Sequence, residues 1–356
     1  RLRRLVAPTD AADNLAAIGR LLNEEDGFSA FRARWEKPLL HAVFTAHPTF
    51  LLSAAQSDAV ATAAIADDPE AATVCALPAA AEKITLEFEH VEVCNAIERA
   101  AAARDRINAV LLSHARQRWP GRWLDFRPLP FRFATWVGYD MDGRTDIGWT
   151  TSIAFRLREK ARRLASYAAG LRSIDAGHPL VETLDAAQAH ASQMAELFSA
   201  PLTEPDALAV VANRMTADDP AKLLSLAPII AQLEDEAKAA EGDAAIALAT
   251  LAGAMRADGL GMGWIHFRVN SSQLHNALRR RIDPDGTLDL SSKGAISRLR
   301  ELLAEATPLR VNFAALAIET STAMRQFLVM AKILHHIDAD APIRMLIAEC
   351  EQPQTV

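Results

Sequence analysis

Four short stretches of β-branched and aromatic residues, set between long segments of helical period, constrain this chain more than any other feature. They are Leu39–Phe44, leading into Thr45-Ala46-His47-Pro48-Thr49, and Phe131–Gly138, leading into Tyr139-Asp140-Met141-Asp142-Gly143. Met262–Val269 leads into Asn270-Ser271-Ser272, and Pro342–Ala348 into Glu349-Cys350-Glu351. Each ends in polar or loop-forming residues, as strands do. Strands alternating with helices predict a parallel sheet or barrel. In such folds chemistry gathers on the loops after the C-terminal strand ends, where all four polar clusters fall.

The intervening segments read as helices. Between Ala79 and Arg118, Ile84, Phe88, Val91, Cys94 and Ile97 recur at three- and four-residue steps, followed by Ile107 and Leu111, and Pro120-Gly121 stops the run. Further helices are predicted at Ala11–Asn23, Ile147–Leu171, Leu180–Phe198, Ala221–Ala257, Ser291–Ala306 and Glu319–Ile337. Alanine makes up about a fifth of the chain and glycine only 15 of 356 residues, which favours helix. The expectation is a mostly α protein with a few parallel strands. Four strands are half of a closed eight-stranded barrel. The chain also begins at Arg1 without a Met and stops at Val356 soon after an apolar run. Residues 1–356 are therefore expected to be a single domain cut midway, a piece of something longer.

A net charge of −7 argues against a phosphate-backbone binder and so against nucleic acid as a partner. The basic runs Arg1-Leu2-Arg3-Arg4 and Arg279-Arg280-Arg281 read as solvated helix ends. Cys75, Cys94 and Cys350 match no metal or redox spacing and suit a reducing, cytoplasmic compartment. The N-terminus lacks a signal peptide's apolar core, and no membrane span is expected.

Among candidate site residues, His47 follows a strand and precedes Pro48, which biases it toward extended geometry. A histidine so placed suits proton transfer or anion contact, or it is a satisfied structural residue. Asp140 and Asp142 alternate before Gly143, with Arg144 beyond. They suit a divalent cation or an arginine partner, though the spacing fails the calcium-loop pattern; Asx turns and helix capping are the plain alternative. Arg268 and Asn270 share one strand face and can meet an anionic oxygen, or form only a surface ion pair. Glu349 and Glu351 offer a metal-binding carboxylate or a solvated loop. The glycines of Gly259-Leu260-Gly261-Met262-Gly263 precede a strand and so are not a dinucleotide loop. His266, His275, His335 and His336 show no ligand spacing and read as structural or solvent-facing.

Together the strand-end clusters resemble phosphoenolpyruvate carboxylase. Val43-Phe44-Thr45-Ala46-His47-Pro48-Thr49 looks like that family's V-L/F-T-A-H-P-T-E, and Phe133–Gly143 is similar to its F-G-S-W-M-G-G-D-R-D-G. His266-Phe267-Arg268-Val269-Asn270-Ser271 falls where the family has D-I-R-Q-E-S, and Leu346-Ile347-Ala348-Glu349 echoes L-F-E-T. The resemblance implies the N-terminal half of a helix-rich (β/α)8 TIM-type barrel, usually in a homotetramer. It implies carboxylation of phosphoenolpyruvate by bicarbonate to oxaloacetate and phosphate, with Mg²⁺ or Mn²⁺. His47 then matches the catalytic histidine, Arg268 a substrate-binding arginine, Asp140 and Asp142 the loop-orienting carboxylates, and Glu349 one metal ligand. Two positions depart. Phe50 stands for the family's Glu, and Met141 for the Arg of G-D-R-D-G, whose charge Arg144 is positioned to replace. With the partner metal ligand absent from the sequence, this chain alone is expected to be inactive. The competing expectation is a non-catalytic homologue that binds a metabolite or partner.

Overall fold

In the computed structural model the described residues are 18–22, 27–45, 85–141, 146–287, 292–307 and 311–350, with single positions at 56, 58, 59, 62 and 289. Residues 18–22 are helical. Helix α1 (Phe28–Trp35) precedes β1 (Leu40–Phe44), and the long α2 (Leu86–Arg118) leads to β2 (Phe131–Thr135). Five helices follow: α3 (Trp149–Ile174), α4 (Pro179–Ser199), α5 (Pro205–Thr216), α6 (Ala227–Ala239) and α7 (Gly242–Asp258). After β3 (Trp264–Asn270) come α8 (Ser271–Ile282), α9 (Lys293–Ala304), α10 (Ala314–Ile318) and α11 (Thr322–His336), and the last element is β4 (Ile343–Ala348). The described residues are mostly helical, with one four-stranded, all-parallel sheet in the order β1-β2-β3-β4.

Local chemistry explains where these elements begin and end. Thr85 caps α2 by accepting from the Phe88 N–H at 3.2 Å; Glu87 and Glu89 sit in its first turn, Arg116 and Arg118 in its last. Both charge placements complement the helix dipole. Pro179 and Pro205 occupy first-turn positions of α4 and α5, where the lost N–H costs nothing. The expected Ala221–Ala257 helix is instead two, α6 and α7, with residues 221–226 outside both; the break falls at Ala240-Glu241, and Gly242, which opens α7, has φ +59°. The apolar period ran through that break because Ala239 and Ala240 satisfy either reading.

Each sheet face has its own character. Alternation sends Ala42, Phe44, Phe131, Phe133, Ile265, Phe267, Val269, Met345 and Ile347 toward the helices. Phe133 packs with Val93, Cys94 and Ile97 of α2, while Ile265 and Phe267 pack with Ile153 and Leu157 of α3 and Val329 and Ile333 of α11. Each fully buried side chain of this size contributes about 1.5–3 kcal/mol. Helix α3 is central: its other side, through Leu164, Ala168 and Leu171, meets α4, α6 and α7.

Arg156, Glu159, Lys160 and Arg163 of α3 are buried despite their charge. Lys160 Nζ donates to the carbonyls of Lys222, Leu223 and Ile337 at 2.6, 2.7 and 2.7 Å, tying α3 to the segments before α6 and after α11. Arg104 of α2 makes a bidentate pair with Asp258 at 2.6 and 2.8 Å. The Arg156 guanidinium fills the space over Gly261, where a Cβ would lie 1.6 Å from Nη1. The glycine run before β3 thus gives room to a buried arginine, not to a phosphate. Among the described residues no helix is long and apolar enough to cross a membrane.

Candidate functional site

The loop after β2 is fixed before it reaches its first acidic residue. Gly138 has φ +87°, and a Cβ there would sit 2.4 Å from the Phe155 ring, so only glycine lets the loop lie against α3. Ser152 Oγ donates to the Gly138 carbonyl at 2.6 Å. Tyr139, fully buried, donates its hydroxyl to Glu159 Oε1 at 2.9 Å. The next residue, Asp140, is thereby held at the end of β2.

Glu159 is the centre of this support. His90 Nε2 lies 3.1 Å from Oε1 and Arg156 Nη1 3.1 Å from Oε2. An ionised carboxylate only accepts, so the His90 proton is on Nε2. Burial alone would raise the Glu159 carboxyl. The hydrogen bond from His90 and the charge of Arg156 outweigh it and hold the group below its ordinary value. The Tyr139 hydroxyl is pushed well above its ordinary value, by burial first and by the Glu159 charge second.

Asp140 meets Arg268 across adjacent strand ends. Arg268 Nη1 donates to Asp140 Oδ2 at 3.0 Å, and the two residues also form an isolated parallel bridge. The guanidinium lies 5.4 Å from the Trp136 ring. The pair is partly solvated, with Arg268 at 35% and Asp140 at 13% exposure, and such a pair contributes only about 0–1 kcal/mol. The pair adds little to stability, and Asp140 engages only Nη1 of the guanidinium.

A second pair lies one strand further. Asn270 Nδ2 donates to Glu349 Oε2 at 2.7 Å, and Ser271 Oγ to the Glu349 carbonyl at 2.7 Å. Glu349 holds φ +54°, an uncommon conformation for a residue with a side chain. Asn270 also caps α8, accepting from Ser272 N at 2.9 Å while Gln273 accepts from the Asn270 N–H at 3.3 Å. Arg268 and Asn270 therefore share a strand face, but each meets a different carboxylate, Asp140 and Glu349.

His47, Asp142 and Arg144 lie outside the described residues. Strand β1, which leads toward His47, ends at Phe44 opposite Thr135 of β2. Met141 is 6% exposed and packs in the apolar cluster with Tyr139, Ile265 and Phe267. No three His, Cys, Asp or Glu residues among those described stand close enough to hold a metal ion. Cys94 is buried 3.7 Å from His90 Nε2, and Cys350 is exposed and free.

Compared with models of known families and with curated proteins, the chain matches none.

Proposed function

We propose that the chain is part of a phosphoenolpyruvate carboxylase-like enzyme that joins bicarbonate to phosphoenolpyruvate to form oxaloacetate and phosphate. The observation that supports this reading best is the Asp140–Arg268 pair at the C-terminal ends of neighbouring parallel strands. Asp140 engages Nη1 and steers the guanidinium, leaving its remaining N–H donors for a phosphate or carboxylate oxygen. In the same reading the sheet is the first half of a (β/α)8 barrel, and the complete cytoplasmic enzyme is a homotetramer.

The other assignments follow the resemblance. His47 would donate a proton or hydrogen bond to the reacting phosphate, Asp142 would orient its loop, and Arg144 would supply the charge that Met141 lacks. A bound Mg²⁺ or Mn²⁺ supplies stabilisation of negative charge on the substrate oxygens. Such cations take about six oxygen ligands. Glu349 fits as one of these, its carboxylate lying at a strand end, and among the described residues no group of three His, Cys, Asp or Glu completes such a site.

One observation favours a non-catalytic homologue instead. Met141, where the resemblance expects a cation, is packed among apolar side chains. Both readings are tested by titrating the chain with phosphoenolpyruvate in the presence of Mg²⁺. Binding that Arg268→Gln weakens by about tenfold or more supports an anion site at this arginine. Absent binding, or binding indifferent to Arg268→Gln, overturns the carboxylase reading. If binding occurs but an assembled protein forms no oxaloacetate from bicarbonate, the homologue reading stands.

A further inference from the structure

A cleft of about 710 Å³ opens where the last turns of α5 and α11 meet the segment before α10. Asn213 lines it from α5, Asn312 and Phe313 from that segment, and Lys332, His335 and His336 from α11. Helix α11 runs antiparallel to β3, since Gln326 near its start donates to the Arg268 carbonyl near the strand's end. Its last turn therefore lies toward the strand starts, remote from the ends that carry Asp140, Arg268 and Glu349. Three basic side chains face the cleft, and no residue lining it is acidic.

The protein neutralises a similar cluster elsewhere by itself. Around the clefts beside α1 and α6, Arg32 pairs with Glu36, Arg127 and Arg256 with Glu234, and Lys238 with Asp235. Lys332 has no such partner. It is 4% exposed, its Nζ donates to the Val311 carbonyl and lies 4.6 Å from the Phe313 ring centre, and it meets no carboxylate among the described residues. An ammonium has three N–H donors, and a buried charge is ordinarily paired. The dipole of α11 suits the two histidines of its last turn, but Lys332 makes its hydrogen bond to Val311, outside the helix.

Size and lining select the kind of ligand. Clefts of about 300–1,000 Å³ hold metabolite-sized molecules. Ala212, Val311 and the Phe313 ring give an apolar wall, with the His336 ring centre 5.8 Å from that of Phe313. Asn312 Oδ1 accepts from the Ala315 N–H at 3.0 Å, which leaves its Nδ2 for a ligand oxygen.

We propose that this cleft binds a small organic anion with two or more carboxylate or phosphate groups, held by Lys332, His335 and His336 with its apolar body against Phe313. The proposal rests on the cleft alone and stands or falls separately from the carboxylase reading. Burial first, then the charges of Lys222, Lys332 and His335, push the His336 imidazole down to about 4, and burial lowers the Lys332 ammonium. Asp218 and Asp219 act on Lys222 and do not line the cleft. A bound anion offsets the like charges, so His336 titrates higher when the cleft is filled.

Citrate and inorganic pyrophosphate serve as probes, each titrated by calorimetry at low ionic strength while the His335 and His336 ring signals are followed by NMR. The expected result is saturable binding of at least one probe with a raised His336 midpoint, and the preferred probe tells carboxylate from phosphate. The His335→Gln, His336→Gln pair weakens it several-fold, and Lys332→Met by about tenfold or more. His335 is exposed, and matching far-UV circular dichroism guards against misfolding; if Lys332→Met does not fold, the histidine pair decides. Arg298→Gln, at an exposed arginine of α9, and Arg268→Gln both leave binding at the cleft unchanged. Absent binding, binding indifferent to the histidine pair, or equal loss with Arg298→Gln overturns the proposal. Binding that disappears with Arg268→Gln also overturns it, in favour of the strand-end site.

Discussion

Glu159 shows how a residue in mid-helix governs a loop it does not belong to. Three donors converge on its carboxylate, and one of them, Tyr139, precedes Asp140 directly. Glu159→Gln removes the charge that three donors share in a buried site, while Arg156 keeps its pairing with Asp338, so the cost is that of lost charged hydrogen bonds, about 1.5–3 kcal/mol. That loss is expected in urea unfolding at neutral pH, with Tyr139→Phe losing about 1–2 kcal/mol by the same measure. The pH dependence has a definite sign. Because the folded carboxyl titrates below its unfolded value of about 4.3, its contribution is complete above that pH and disappears as the pH falls through the folded midpoint. In the sequence Glu159 looks like one more surface charge. A sharper signal was available: Arg156, Glu159, Arg163 and Tyr167 lie three or four residues apart on the side of α3 that also carries apolar residues. The Asp140–Arg268 pair was legible only as two separate polar strand ends, since 128 positions separate them and only the sheet order brings them together.

At the scale of elements, the four strands were legible because each is an apolar run closed by glycine or polar residues, and their observed bounds fall inside or within one residue of the expected ones. Three helices of eight or more residues went unread. Helix α5 carries Leu208, Val211 and Met215 at helical steps behind Pro205, a signal that its short length obscured. Helix α8 begins directly after the last strand residue, so Asn270 reads in the sequence as a ligand group although it also caps a helix. Helix α1 is too short for its period to stand out, and its aromatic residues Phe28, Phe31 and Trp35 resemble a strand as readily. The spacing of β2 and β3 depends on Gly263. It holds φ +96°, and a Cβ there would lie 2.6 Å from the Phe133 backbone oxygen, which cannot move without disturbing β2. Gly263→Ala is therefore expected to destabilise the protein by about 1–3 kcal/mol, read as a lower thermal midpoint, more than alanine at the open Gly253.

For the molecule as a whole, the stacked His41 and His266 rings of the sheet set an acid limit distinct from that of Glu159. Burial lowers both imidazoles first; the Arg344 and Arg132 charges add to this for His41, and His41 and Arg344 for His266, so both titrate below the ordinary value of about 6.5. The unfolded chain then binds protons that the folded one refuses, so stability is full above pH of about 6.5 and falls below it. Thermal midpoints measured from about pH 7.5 to pH 5 should show that slope, and His266→Phe should flatten it. The same sheet has a kinetic consequence. Its partners are remote along the chain: Leu40 pairs with Phe131, and Ala134 with Trp264. The hairpins α3–α4 and α6–α7 join neighbours across a few residues and can close early. Strand pairing must wait for long loops to close, at an entropic cost repaid only once the helices between them are in place. Ribosomal synthesis therefore delivers a helical framework first, and the surface that carries the site is assembled last.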